Sequence, residues 1–226
     1  MSEVFRRRRR AEEETAPAVV REDGPATARA AGPWDAADDY PEAERVDLGG
    51  LRLPVDPRFE IQLRVDGDQI TGVIVLLGES LLQVQAVAAP KRNGIWDEMR
   101  ADAVRDVTAA GGALEERDGP FGPELVGRAP AQGQTEPQPV RFLGVDGPRW
   151  FLQAVISGPA ASGGEAGDVL EDVVRGIVVV RGDEPMPPRE VIPLRLPVDR
   201  QPADEQAPHR DELRPFERGP EISEIR

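Results

Sequence analysis

The sequence predicts an α+β fold: an antiparallel sheet with two helices packed on one face. Three observations carry this. Phe59, Ile61, Leu63 and Val65 alternate with Arg58, Glu60, Gln62 and Arg64, the two-residue period of a half-buried strand. Ile95, Met99, Ala103 and Val107 recur every four residues, as on one face of a helix. Short turn signals separate the apolar runs, so neighbouring strands are joined by hairpins and lie antiparallel.

The ordered pattern opens at Val46–Leu53, followed by the alternating strand at 58–65. Asp66-Gly67-Asp68 is a hairpin break before the apolar run Gln69–Leu77. Gly78-Glu79-Ser80 turns again, and Leu82, Val84 and Ala86 alternate with Gln83 and Gln85 to complete a meander. After a loop at 90–94 comes the first helix, about Ile95–Ala110, with Asn93 as its cap. Asp97 and Glu98 complement its dipole, and Gly111-Gly112 ends it. Strands near Ala113–Arg117 and Glu124–Arg128 flank a Gly/Pro turn. Pro139–Val145 and Arg149–Ser157 flank Asp146-Gly147-Pro148. A second helix covers Asp168–Arg175. Ile177–Val180 continues its stripe but also reads as a buried strand, the reading its three valines favour.

The resulting order, β-β-β-β-α-β-β-β-β-α-β, looks by analogy like that of PsbP-type domains, which serve as binding modules. Fold alone does not fix function. The expected organisation is a disordered arm at 1–45, basic and then acidic, one α+β domain at 46–193, and a disordered or extended tail at 194–226. The hexapeptide Leu51–Asp56 recurs at Leu194–Asp199, which is consistent with two similar edge strands beside the sheet or with coincidence.

Composition excludes several chemistries. The absence of cysteine closes thiolate catalysis, disulfides and Cys-based metal sites. The one histidine, His209, sits in a Pro-, Glu- and Arg-rich tail that offers nothing to orient an imidazole for a catalytic relay. A formal net charge of −14 argues against duplex nucleic acid on the core. No run of apolar residues is long enough to span a bilayer, and the start does not read as a secretory signal, so the expected location is the cytoplasm. Arg6, Arg7, Arg8, Arg9 and Arg10 form a basic run capable of weak contact with membrane or RNA, which the glutamates at 12–14 partly cancel.

The candidate sites are few. Gly119–Pro123 lacks the spacing and Lys-Ser/Thr of a phosphate loop, and its prolines remove backbone donors. A tight turn with Phe121 packed down is the favoured reading. Arg149 beside Trp150 has the composition of a binding hot spot, although both faces of 149–157 are partly apolar, as in a strand covered on both sides. Asp97, Glu98, Asp102 and Asp106 fit a solvated helix face better than a metal site, and Arg181-Gly182-Asp183-Glu184 reads as an exposed turn.

The stretches Gly119–Leu125 (GPFGPEL), Arg141–Leu152 (RFLGVDGPRWFL) and Val178–Pro185 (VVVRGDEP), with Trp96-Asp97-Glu98, resemble an actinobacterial family of uncharacterised proteins that carry a domain of unknown function. The resemblance covers about 46–197 and includes the arginine-rich start. It implies no activity; members are often encoded near a dUTPase, which is association and not chemistry.

Two functions fit these readings. The first is a non-catalytic protein-binding or adaptor module with a patch of Arg149, Trp150 and Phe121. The alternative is a metal- or nucleotide-dependent enzyme using only carboxylates and arginine. No catalytic residue, metal or cofactor is expected.

Overall fold

The computed structural model describes residues 31–90, 94–130 and 136–197. A small four-stranded sheet uses β1 (Trp34–Asp35), β2 (Arg45–Asp47), β3 (Leu51–Pro54) and β11 (Val178–Val179) in the order β1-β11-β3-β2. A seven-stranded antiparallel sheet runs β4-β5-β6-β10-β9-β8-β7. Its strands are β4 (Glu60–Asp66), β5 (Gln69–Leu77), β6 (Ser80–Ala88), β7 (Ala113–Gly119), β8 (Gly122–Ala129), β9 (Gln138–Gly147) and β10 (Trp150–Ser157). The helices are α1 (Trp96–Ala109) and α2 (Glu165–Gly176).

The meander and hairpins fall where alternation and turn residues placed them. Within Ile177–Val180, Val178–Val179 form a strand: β11 pairs parallel with β1 and antiparallel with β3. Three expectations change. First, the helices lie on opposite faces of the large sheet. Trp150, Leu152, Ala154 and Ile156 join the core shared with α2 and β3, whereas Phe151 meets Ile95 and Trp96 of the α1 side. Both faces of β10 are therefore apolar because both are covered. Second, the fold begins before residue 46. Trp34–Asp35 forms β1, and the Asp35 carboxylate accepts the Trp150 Nε1–H at 2.6 Å. Third, it continues past 193, with Ile192 and Leu194 both buried. Arms 1–30 and 198–226, which contain Arg6–Arg10 and His209, lie outside the described residues.

The segment after β11 is a strap between the sheets. Its backbone bonds Ala86 and Ala88 of β6, then Ile70 of β5, then Leu48. It fills a gap where β5 leaves β6, since their pairing stops at Val73 and Val84. The second copy of the hexapeptide thus starts at Leu194, bridged to both Gly49 and Ile70, while the first copy forms β3 inside the small sheet. Among the described residues, no helix is long and apolar enough to cross a membrane.

Candidate functional site

Trp150 and Phe121 are buried, so these two do not present a surface patch with Arg149. Phe121 packs inward beneath the Arg175 guanidinium, 5.3 Å above its ring. Trp150 is held by Asp35. Arg149 alone reaches solvent, at the hairpin tip with a left-handed backbone (φ 62°), and its guanidinium donates to the Gly182 carbonyl.

Residues of the stretches around Trp96, Pro123, Asp146 and Phe151 instead interlock within the core. Trp96 Nε1–H donates to the Pro123 carbonyl at 2.7 Å, and its ring stacks on Phe151 with centroids 5.5 Å apart. Gly144 lies under that ring, where a Cβ would stand 2.3 Å from the indole, so only glycine fits this close approach. Asp146 accepts the Ile95 N–H at 2.9 Å and thereby serves the start of α1 from another strand. Asn93, expected in that role, lies outside the described residues. Burial pushes the Asp146 carboxyl up from its ordinary pKa, against the pull of the Ile95 and Trp96 N–H groups.

An ion ladder runs beside this interlock. Buried Glu124 on β8 accepts from Arg141 Nε and Nη2 and from Arg117 Nε, the last at 2.6 Å. Arg141 Nη1 donates to Glu171 of α2 at 2.6 Å, and Glu171 also accepts from Arg175. Burial is the largest single influence on Arg141 and disfavours its charge, but Glu124 and Glu171 together outweigh it, so its pKa is raised. Sequence reasoning passed over this pair although a signal existed. Arg141 holds the inward phase of Leu143 and Val145 in β9, where a cation needs a buried acid.

The acids of α1 are engaged as on a solvated face. Glu98 and Asp102 pair with Arg189 of the strap, and Asp97 pairs with Arg100. Among the described residues, no cluster of three or more His, Cys, Asp or Glu has metal-binding geometry.

An apolar concavity lies elsewhere. Val46, Leu48, Val55, Phe59, Ile61, Leu63, Leu196 and Pro197, with Asp56 and Glu60, line a cleft of about 560 Å³ between β4 and the β2–β3 hairpin. Ile61 and Leu63 of β4 point into it, on the strand face opposite the polar Gln62 and Arg64. The two hexapeptide copies wall it: Val55 and Asp56 from the first, Leu196 and Pro197 from the second. Val55 and Leu196, which both line it, are 39% and 44% exposed. At the rim, the Arg58 guanidinium donates to both Asp56 oxygens.

Those bonds, together with one from the Arg58 backbone N–H, lower the Asp56 pKa from 3.8 to about 2. A group with a depressed pKa supports the folded state above its unfolded pKa and loses that support as pH falls toward the folded value. Carboxyl NMR titration is expected to give Asp56 a midpoint near 2, and Arg58→Ala is expected to return it toward 3.8. An unshifted midpoint in the unsubstituted protein would show that the ion pair does not persist in solution.

A family model described as "Protein of unknown function (DUF3710)" matches residues 32–203. The chain belongs to this family. The DUF3710 match starts at the approach to β1 and runs through the strap, so the family unit contains both sheets. No curated protein matches the chain. Two solved structures are similar in outline. One is a crystal structure from Bacteroides thetaiotaomicron, with TM-score 0.38, 11% identity and coverage of 65% of this chain and 52% of that one. The other is the solution structure of the cyanobacterial PsbP protein CyanoP from Synechocystis, with TM-score 0.39, 11% identity and coverage of 66% and 99%. The chain thus spans about half the length of the Bacteroides protein, at 52%.

Proposed function

We propose that this DUF3710 protein is a non-catalytic protein-binding module whose contact surface is the cleft beside β4. The observation that carries the reading is this open, apolar cleft with exposed Val55 and Leu196 at its mouth. Its volume suits a few inserted side chains. Asp56 and Glu60 on the rim, and a net charge of −14, favour an extended partner segment whose apolar residues are flanked by Arg or Lys. The enzyme alternative draws no comparable support, because the carboxylates of the buried ladder face guanidinium groups of the same chain.

A displayed random-peptide library, panned on the full chain, supplies the test. Enriched peptides are expected to combine apolar residues with basic flanks. Val55→Asp and Leu196→Asp, both at solvent-facing positions, are expected to weaken them at least about tenfold while thermal unfolding is unchanged. No enrichment, or binding indifferent to both substitutions, overturns the reading.

A further inference from the structure

We infer that β4 is a self-association edge, along which two copies of this chain pair antiparallel about Gln62. β4 ends the seven-stranded sheet, so one side of its backbone has no strand partner among the described residues. Such a row of free N–H and C=O groups is a template for another strand unless the side chains forbid it.

The side chains of β4 favour it in one register. Set antiparallel with Gln62 facing its own copy, Glu60 stands opposite Arg64, Ile61 opposite Leu63, and both relations repeat across the two-fold axis. Continuing the register brings Phe59 toward Val65, which is 59% exposed in the single chain. Shifting the register by two residues to centre on Leu63 would put Glu60 against Asp66, a like-charge pair. The opposite edge, β7, fails the same comparison. Pairing about Glu116 sets that acid against itself and Leu114 against Asp118.

Local geometry leaves the backbone of β4 regular. The register shift between β4 and β5 skips Thr71, so the extra residue is on β5 and β4 keeps its regular pleat. In the single chain Arg64 lies across β5, with Nε toward Thr71 and Nη2 toward Gln85 of β6, so pairing requires its long side chain to swing back over the edge to meet Glu60 of the second copy. Glu60 and Gln62 are exposed. Pairing would also set the two clefts on one face of a continuous sheet, since Ile61 and Leu63 line both the cleft and the contact. The inference stands on the edge and its charges and does not depend on what the cleft binds.

The test is the mass of the full chain in solution, measured by sedimentation over a concentration series. A species of twice the 24.6 kDa chain mass is expected. Glu60→Arg and Arg64→Glu each place like charges opposite one another, and each is expected to raise the dimer dissociation constant at least about tenfold. Mixing the two variants in equal amounts restores an acid opposite a base at both ends of the paired strands, so a heterodimer is expected. Gln62→Lys, which sets two cations against each other on the axis, is expected to weaken the dimer as well and keeps the test decisive if Arg64→Glu does not fold. A chain that stays monomeric throughout, a dimer indifferent to Glu60→Arg and Gln62→Lys, or folded single variants that fail to combine would each overturn the inference.

Discussion

Glu124→Leu is expected to destabilise the protein by about 3 kcal/mol or more, because it strands Arg141 in the core. Arg141 is as buried as Glu124, and Glu124 supplies the acceptors for its Nε and Nη2. Without them only the Glu171 contact at Nη1 remains. The penalty is a desolvated charge without its main partner, not the net value of the pair, which can be near zero in a protein interior.

The ladder makes this cost asymmetric. After Arg141→Met, Glu124 keeps Arg117 and Glu171 keeps Arg175, so each acid retains a cation. Arg141→Met is therefore expected to cost less than Glu124→Leu. The double variant is expected to recover most of the loss, since it removes both buried charges and fills the space with apolar volume. Urea denaturation of the three variants measures this directly. If Glu124→Leu lies within about 1 kcal/mol of the unsubstituted protein, water or rearrangement is serving Arg141 and the ladder is not a closed unit.

The ladder also marks where the sequence was legible and where it was not. β4, β5 and β6 were readable because one face of each is apolar and the turns between them carry glycine. α1 was readable because its stripe repeats over several turns. β1 was not: two residues have no period, and its role depends on β11, more than a hundred residues later. The placement of the helices needed the same kind of information. Alternating Trp150 and Phe151 fitted a β10 covered on both sides or an exposed patch, and neither reading said which helix covers which face. The cleft was likewise hidden, since its walls come from two distant copies of one hexapeptide that only the strap brings together. The repeat itself was visible; its meaning was not, because a six-residue match carries no tertiary information.

Trp150→Ala is expected to cost about 3–5 kcal/mol, the range for removing a large buried aromatic residue. The indole fills the centre of the core shared by both sheets, and its N–H is bound to Asp35 at 2.6 Å. Loss of the side chain therefore opens a cavity and also releases the contact between β10 and β1. Trp150→Phe separates these effects, because it keeps most of the volume while leaving the Asp35 carboxylate without that donor. Its expected cost is about 1–2 kcal/mol, from the hydrogen bond and the smaller ring. Guanidinium unfolding followed by circular dichroism gives both values without relying on tryptophan emission, which Trp34 and Trp96 also contribute. The comparison decides how Trp150 acts. A binding residue on the surface would lose ligand at nearly constant stability, whereas a core residue would lower the unfolding midpoint and disturb ligand binding only through the fold. The burial of Trp150 predicts the second pattern, with the cleft variants Val55→Asp and Leu196→Asp showing the first.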